Sequence, residues 1–303
     1  RDDWGNWVAG NNSFGWQIAL EDHDIRRNPK VSQPSNKHGI NGVIDLYPIS
    51  RVLSHYSGYK APPAGSPGKL TSGCGYTFYR DNLFDGIIEP SVYYSCPVHN
   101  CIHREVISWN GVLMNTERAS DEARSEFLRS SDSWFRPAAI RTGPDGAMYV
   151  ADLYRLVIEH PEWIDDTLEK EMIADGRLRA GHDKGRIYKI FPDSVKLHKK
   201  ANLAGKGPQA LAKLMDSPNG WQRDTAHMML TWLDKEEQKK AIPNLHQVLN
   251  SQFPAARAQA LSALNDLDSL WPKAMQKGLE DKHPGVRRNA LRVGGGLLNQ
   301  NSE

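Results

Sequence analysis

The sequence predicts a multidomain β + α protein, with a partial β-propeller of antiparallel blades at residues 1–196 and a HEAT-like α-solenoid at residues 197–303. Short β-rich runs in the first part are punctuated by Gly, Pro, Asn and Asp, as in strands joined by tight turns. From Gly207 onward glycine and aromatic residues become rarer, Ala and Leu become more frequent, and the apolar residues recur with a helical period. This change of pattern defines two predicted domains.

Two hairpins in the first part are predicted from their turns. The run CIHREVISW at residues 101–109 ends at Asn110-Gly111, and a further apolar run follows. Asn-Gly favours a type I′ turn because both central residues need a positive φ. The second hairpin has GPDG at residues 143–146 between the runs PAAIR and AMYV, and a third strand is predicted at residues 185–191. Asp145 is interpreted as a turn residue.

A surface insertion with helical character is predicted at residues 160–184, directly after the strand that ends near Asp152. Beyond it, three segments at residues 221–226, 255–260 and 285–290 align with one another. Their alanines recur at intervals of 34 and 30 residues, and a proline stands close before each segment: Ala226, Ala260, Ala290; Pro218, Pro254, Pro284. This period predicts helix pairs that bury their apolar faces against neighbours. A ladder of arginines is expected to brace adjacent repeats against Asp residues, with a concave basic binding stripe as the alternative: Arg223, Arg257, Arg287 and Arg288.

The composition excludes some classes of function. With 38 basic and 36 acidic residues the formal net charge is +2, so no nucleic-acid partner is predicted. No stretch approaches the roughly 18 apolar residues of a membrane span. The chain lacks an initiator Met, and its first part has room for about four blades. We therefore expect a processed or partial segment, with the propeller completed by the remainder of the polypeptide or by a second chain.

Several strings of the sequence occur in an order found in a known family. They are RDDWGNW at residues 1–7, RRNP at 26–29, TSGCGYTFYR at 71–80, CPVHNCIHREV at 96–106, SWFRPAAIRTGPDGAMYVADLYR at 133–155, IEHPEWI at 158–164 and KGRIYKIFP at 184–192. Together they resemble the planctomycete-type membrane-bound dehydrogenase family. Its members combine a sorbosone-dehydrogenase-like β-propeller, HEAT repeats and a C-terminal c-type haem domain.

The resemblance implies an exported oxidoreductase, periplasmic or in the cell envelope, that acts on a sugar or alcohol and passes electrons to a c-type haem domain outside this chain. The haem motif Cys-x-x-Cys-His is absent, since residues 96–103 have a different spacing. By fold analogy alone, quinone or Ca²⁺ would be the cofactor. The alternative is a non-catalytic scaffold for a protein or polysaccharide partner, with the helical surface available to a protein.

Candidate catalytic residues follow from the resemblance. His99 and His103 match a family motif and would act as bases, with Arg104 beside them. Asp152 and Arg155 stand at the end of a strand, where either a ligand site or a structural cap is expected. No metal site is predicted, although His99, Cys101 and His103 alternate.

Three cysteines leave one disulfide or three free thiols open. Cys74 and Cys96 match family positions, which implies a disulfide between them; two small buried side chains are the alternative. Trp4, Trp7 and Trp16 are interpreted as blade packing, with a sugar-stacking platform as the alternative.

Overall fold

The computed structural model describes residues 1–18, 36–56, 58–63 and 66–300. It shows a mixed β plus α protein in which antiparallel sheets are followed by helices. The RRNP string at residues 26–29 lies outside the described residues. Within the described ranges no helix is long and apolar enough to cross a membrane.

The strands form four antiparallel sheets, and in the described residues these do not close into a propeller. The strands are β1 (Trp7–Gly10), β2 (Gly15–Ile18), β3 (Lys37–Gly39), β4 (Asp45–Leu46), β5 (Gly68–Lys69), β6 (Cys74–Phe78), β7 (Ser91–Cys96), β8 (Cys101–Asn110), β9 (Leu113–Arg118), β10 (Leu128–Arg129), β11 (Pro137–Thr142), β12 (Met148–Asp152) and β13 (Arg186–Ile190). In order of pairing, the sheets are β1-β2-β3, β4-β5, β10-β8-β7-β6 with β9 also paired to β8, and β11-β12-β13.

Both predicted hairpins are confirmed. In the first, Asn110 pairs with Leu113, so Gly111 and Val112 are the central residues of the turn. Of these only Gly111 has a positive φ, of +63°, and the predicted type I′ turn centred on Asn110-Gly111 is therefore wrong. In the second hairpin, β11 pairs with β12, and the backbone N–H of Gly143 donates to the carbonyl of Ala147 at 2.8 Å. Asp145 is the predicted turn residue. The third predicted strand is β13, which pairs with β12.

Within the five-stranded sheet, β7 is buried on both faces, since all of its residues are buried. Successive side chains of a strand point to opposite faces. Tyr94 and Cys96 therefore pack in one apolar core, whereas Tyr93 packs in a second core with Ile140 and Val150 of the neighbouring sheet. The hairpin β7–β8, which carries the candidate histidines, is thus the most enclosed part of the β-rich region.

The segment after β12 contains helix α1 (Asp166–Ala174), as its sequence predicts. The Asp165 side chain caps its first turn by accepting from the N–H groups of Thr167 and Leu168. Six further helices form the C-terminal part: α2 (Pro208–Leu214), α3 (Gly220–Thr231), α4 (Lys235–Val248), α5 (Pro254–Asp266), α6 (Pro272–Leu279) and α7 (Pro284–Gln300). Their shared core is made mostly of Leu and Ala side chains.

The aligned arginines repeat one contact in α3, α5 and α7. Each guanidinium donates at 2.8 Å to the backbone carbonyl six residues earlier, in the pairs Arg223–Ser217, Arg257–Ser251 and Arg287–Asp281. Arg257 also holds the Asp281 carboxylate through two bonds of 2.6 and 2.8 Å. Since Asp281 precedes the next aligned helix, the bracing role predicted for this arginine is confirmed.

The first residues of the chain pack on the helices. The Trp4 ring stacks on His283 with 4.3 Å between centroids, and Trp4 joins the apolar core of the helical part. Its interpretation as blade packing is therefore wrong. Arg80, which follows β6, binds Asp3 and Asp224, and its carbonyl accepts from the Gly220 N–H at 2.7 Å. A Cβ at position 220 would lie 2.8 Å from that of Arg80, so this approach requires glycine.

Replacing Arg257 with Met is expected to lower the free energy of unfolding by about 3 kcal/mol, because it leaves the Asp281 carboxylate without its bidentate partner. The side chains of Arg257 and Asp281 are only 7 % and 10 % exposed. Urea denaturation followed by circular dichroism measures the loss. Lys235→Met is the matched control: its pair with Asp268 is 65 % and 81 % exposed, so the change should stay within about 0.5 kcal/mol. An equal loss of unfolding free energy in both variants would contradict the bracing role of Arg257.

Candidate functional site

The candidate histidines lie on the hairpin formed by β7 and β8, whose turn spans residues 97–100. Asn100 adopts a positive φ of +53°, a conformation that Asn tolerates better than most residues. Its side-chain amide donates to the carbonyls of Ser133 and Phe135 at 3.1 and 2.5 Å. The turn is thereby tied to the segment that leads into β11.

His103 lies between two buried carboxylates. Its Nδ1 is 2.6 Å from an oxygen of Glu126, and its Nε2 is 3.5 Å from an oxygen of Glu105. Tyr94 donates to Glu105 at 2.8 Å, and Arg118 binds Glu126 at 3.1 Å. Burial alone would lower the pKa of His103, but hydrogen bonds and charge from the two carboxylates outweigh it and raise the pKa. The two carboxylates therefore favour the protonated form of the ring in this buried network.

Arg104 projects to the opposite face of β8 from His103. It binds Glu122 through its Nε at 2.8 Å and also contacts Asp121. Burial raises the pKa of Glu122 more than Arg104 lowers it. Arg104 is thus paired with acidic residues and is not directed at His103.

His99 belongs to a cluster of thiols. Its Nδ1 is 3.2 Å from the Sγ of Cys96, and its Nε2 is 3.0 Å from the hydroxyl of Tyr59. All three cysteines are free in the structure, so the disulfide that the resemblance implies between Cys74 and Cys96 is not formed in it. Cys96 instead lies opposite Cys101. Burial, followed by the charge of Cys96, raises the pKa of Cys74 to about 11.

Asp152 and Arg155 lie in the neighbouring sheet and its following loop. Asp152 accepts from the N–H groups of Arg136 and Tyr154 at 2.7 and 2.8 Å, so it caps the end of β12. Arg155 lines a cavity of about 470 Å³ beside Glu159 and Arg179. Neither residue contacts His99 or His103, and the five candidates do not converge on one site.

Arg136 connects the two groups of candidates. Its guanidinium is fully buried and donates to the carbonyl of Pro97 in the hairpin turn at 2.8 Å. It also donates to the carbonyls of Arg155 and Leu156 at 3.0 and 2.9 Å. Burial lowers the pKa of Arg136, and the charge of Glu159 opposes this effect. The side-chain hydrogen bonds of Arg136 within the described residues thus go to backbone carbonyls.

A larger cavity lies elsewhere in the described part of the chain, between the β-rich part and the helices. Its volume is about 1490 Å³. Trp7, Tyr76 and Tyr149 line it from the β-rich part, and Trp221 and His227 line it from α3. Trp7 is 42 % exposed and Trp221 is 37 % exposed. We call this cavity the interdomain cleft.

The polar lining of the interdomain cleft is of mixed charge. Arg80, Arg141 and Asp224 line it, and His227 pairs with Asp266 at 3.2 Å. Burial would raise the pKa of Asp224, but hydrogen bonds from Arg80 outweigh it and lower the pKa. Sequence reasoning missed the cleft because its two walls come from separate parts of the sequence, residues 1–149 and residues 221–295. The one earlier signal was the sugar-stacking alternative for Trp7.

Fold and site together define a β-rich domain joined to a stack of helices, with an open cleft between them. The chain belongs to the family described as "Domain of unknown function (DUF7133)", whose model matches residues 1–194. No curated protein and no solved structure matches the chain.

The raised pKa of His103 predicts that stability falls as the pH rises above about 6.5, the usual histidine pKa. Below that pH the ring is protonated in both the folded and unfolded states, so the contacts to Glu105 and Glu126 stabilise fully. The contribution is lost as the pH passes through the higher folded-state pKa.

Urea unfolding between about pH 6 and about pH 9 measures this loss of unfolding free energy. The loss should be smaller in His103→Gln than in the wild type. His160→Gln is the control, because His160 is 70 % exposed and pairs only with Glu162. Nuclear magnetic resonance of the wild-type rings provides a second measurement. Titration of His103 at or below the usual histidine pKa of about 6.5 would contradict the prediction.

Proposed function

We propose that this protein is a binding scaffold for a polysaccharide, which it holds in the interdomain cleft. The observation that carries the proposal is that two exposed indoles, Trp7 from β1 and Trp221 from α3, line the same cavity. Aromatic side chains present flat apolar faces on which the C–H faces of sugar rings stack, while their polar edges remain available to water. Indoles from both domains would contact successive sugars of one chain.

The size and polarity of the cleft support an extended ligand. Pockets for small molecules typically measure about 300–1,000 Å³, and the volume of about 1490 Å³ here exceeds that range. Thr142, Gln259 and Asn265 also line the cleft and offer donors and acceptors for hydroxyl groups. Arg141 adds an exposed cation at the rim. A chain of sugars suits this combination better than a small apolar ligand does.

The finer architecture is part of the same proposal: the sheets are blades of a β-propeller, and α2–α7 are HEAT-like repeats. The repeated arginine contacts in α3, α5 and α7 support the second assignment. The remainder of the polypeptide or a second chain would complete the propeller. An exported location and a protein partner on the helical surface, where Trp232 is 72 % exposed, belong to the same hypothesis.

Oxidoreductase activity, with quinone or Ca²⁺ as cofactor and a c-type haem domain as electron acceptor, stays a prediction from the resemblance. Its candidate bases His99 and His103 are both 0 % exposed. Their ring nitrogens face Cys96, Tyr59 and two carboxylates of the protein itself. This geometry favours a structural role on the hairpin and a binding role in the cleft.

Electrophoresis through gels that contain a soluble polysaccharide tests the proposal, using neutral and uronate-bearing polymers in parallel. Retardation of the wild type by at least one polymer is expected. Trp7→Ala and Trp221→Ala should each raise the dissociation constant about tenfold, which corresponds to about 1.4 kcal/mol. The reason is that each variant removes one stacking face.

Matched controls are available for both substitutions. Trp109 is 47 % exposed in the β-rich part and Trp232 is 72 % exposed in the helical part, and neither lines the cleft. Trp109→Ala and Trp232→Ala should keep wild-type retardation. Lack of retardation in every gel, or equal losses in the controls, would refute polysaccharide binding in the cleft.

A further inference from the structure

Cys96 and Cys101 lie directly opposite each other at the end of the β7–β8 hairpin, where the strands meet the turn at residues 97–100. Directly opposed residues of antiparallel strands have Cα atoms about 4.5–5.5 Å apart. That distance falls within the range of about 4.4–6.8 Å that disulfides span. The register of the hairpin therefore places the two thiols within reach of a bridge.

Cys74 is placed less favourably for a bridge to Cys96. It lies on β6 opposite Ser95, and directly opposed residues project to the same face of a sheet. Ser95 and Cys96 are consecutive and project to opposite faces. The Sγ of Cys74 accordingly lies 3.9 Å from the carbonyl of Pro137, in the neighbouring sheet. The register thus favours Cys101 over Cys74 as the partner of Cys96.

The surroundings of Cys96 favour its reactive form. Burial would raise the pKa of its thiol, but hydrogen bonds from Cys101 and His99 outweigh burial and lower the pKa. The same contact with Cys96, together with burial, raises the pKa of Cys101. Of the two thiols, Cys96 is thus the one whose pKa is lowered, and Cys101 the one whose pKa is raised.

We propose that Cys96 and Cys101 form a cross-strand disulfide by exchange with a small disulfide oxidant such as glutathione disulfide, and that Cys74 remains a free thiol. The Cys96 thiolate attacks one sulfur of the oxidant, which forms a mixed disulfide and releases one glutathione thiolate. The Cys101 thiolate then attacks the Cys96 sulfur and releases the second glutathione thiolate. Two electrons pass to the oxidant, and the two cysteine protons end on the released thiols.

Burial sets the conditions for this exchange. Cys96 and Cys101 are both 0 % exposed, so the oxidant cannot reach either sulfur in the closed hairpin. The bridge forms while the chain folds or when the hairpin opens locally. Once formed, it closes the turn whose Pro97 carbonyl binds Arg136.

Refolding the chain in a mixture of oxidised and reduced glutathione, followed by alkylation with iodoacetamide and trypsin digestion, tests the proposal. The sequence places Cys96 and Cys101 together in the tryptic peptide at residues 81–104 and Cys74 alone in the peptide at residues 70–80. The expected result is a peptide 81–104 that lacks two hydrogens and carries no alkyl group, with Cys74 alkylated. A cross-link between the two peptides, or alkylation of all three cysteines, would overturn it.

Two variants sharpen the assignment. Cys74→Ala should leave the loss of two hydrogens unchanged, whereas Cys101→Ala should abolish it and leave two alkylated thiols. Alanine suits both positions, since it removes the sulfur without placing a polar group in the core. Because the wild-type peptide map is itself decisive, the proposal is tested even where a variant folds poorly. The proposal would also be overturned if Cys101→Ala formed a disulfide between Cys74 and Cys96 in the same yield as the wild-type chain forms its disulfide.

Discussion

The ion-pair network around Arg80 is the contact on which the arrangement of the two domains depends. Its guanidinium binds Asp3 at 2.7 Å and Asp224 at 2.5 Å, so one side chain of the β-rich part holds both the first residues of the chain and helix α3. Asp3 is also bound by Arg223. The side chains of Arg80 and Asp3 are only 17 % exposed, which limits screening by salt. Because Arg80 lines the interdomain cleft, the same network sets the distance between its two walls.

Arg136 has a comparable role inside the β-rich part, but it works without a carboxylate partner. Among the described residues its side chain donates to backbone carbonyls of the hairpin turn, of the loop after β12 and of Leu53. A buried cation is tolerated when its donors are satisfied, and the carbonyl dipoles together replace the water that it loses. Asp152 supports the arrangement by accepting from the Arg136 N–H. The candidate residues near Arg136 therefore hold one buried scaffold together.

The sequence allowed the local elements to be predicted, because their causes are local. Gly111 supplies the positive φ of its turn, and Pro254 and Pro284 begin helices at positions where a missing N–H costs nothing. The network of His103 could be predicted only in part. Glu105 is two residues away on the same strand and shares its face, but Glu126 is brought in by the packing of a distant loop.

Register explains the remaining differences. A shift of one residue moves a side chain to the other face of a sheet, and no pattern in the runs around Cys74 and Cys96 specifies their pairing to that precision. Arg80 and Asp224 are separated by 144 positions, and their contact depends on how two domains dock. Composition and periodicity describe each domain separately, so they could not predict the cleft between the two.

The contrast between the hairpin and the cleft indicates where a ligand can bind. On the hairpin, the side chains of His99 and His103 bind other groups of the protein and are closed to solvent, so a ligand would have to break a buried network before gaining any contact. In the cleft, the indoles of Trp7 and Trp221 are exposed. Stacking on them requires only the displacement of water, and the charged lining is already paired in large part. Binding there rests on aromatic faces more than on net charge, which is the balance that a chain of hydroxyl-bearing sugars requires.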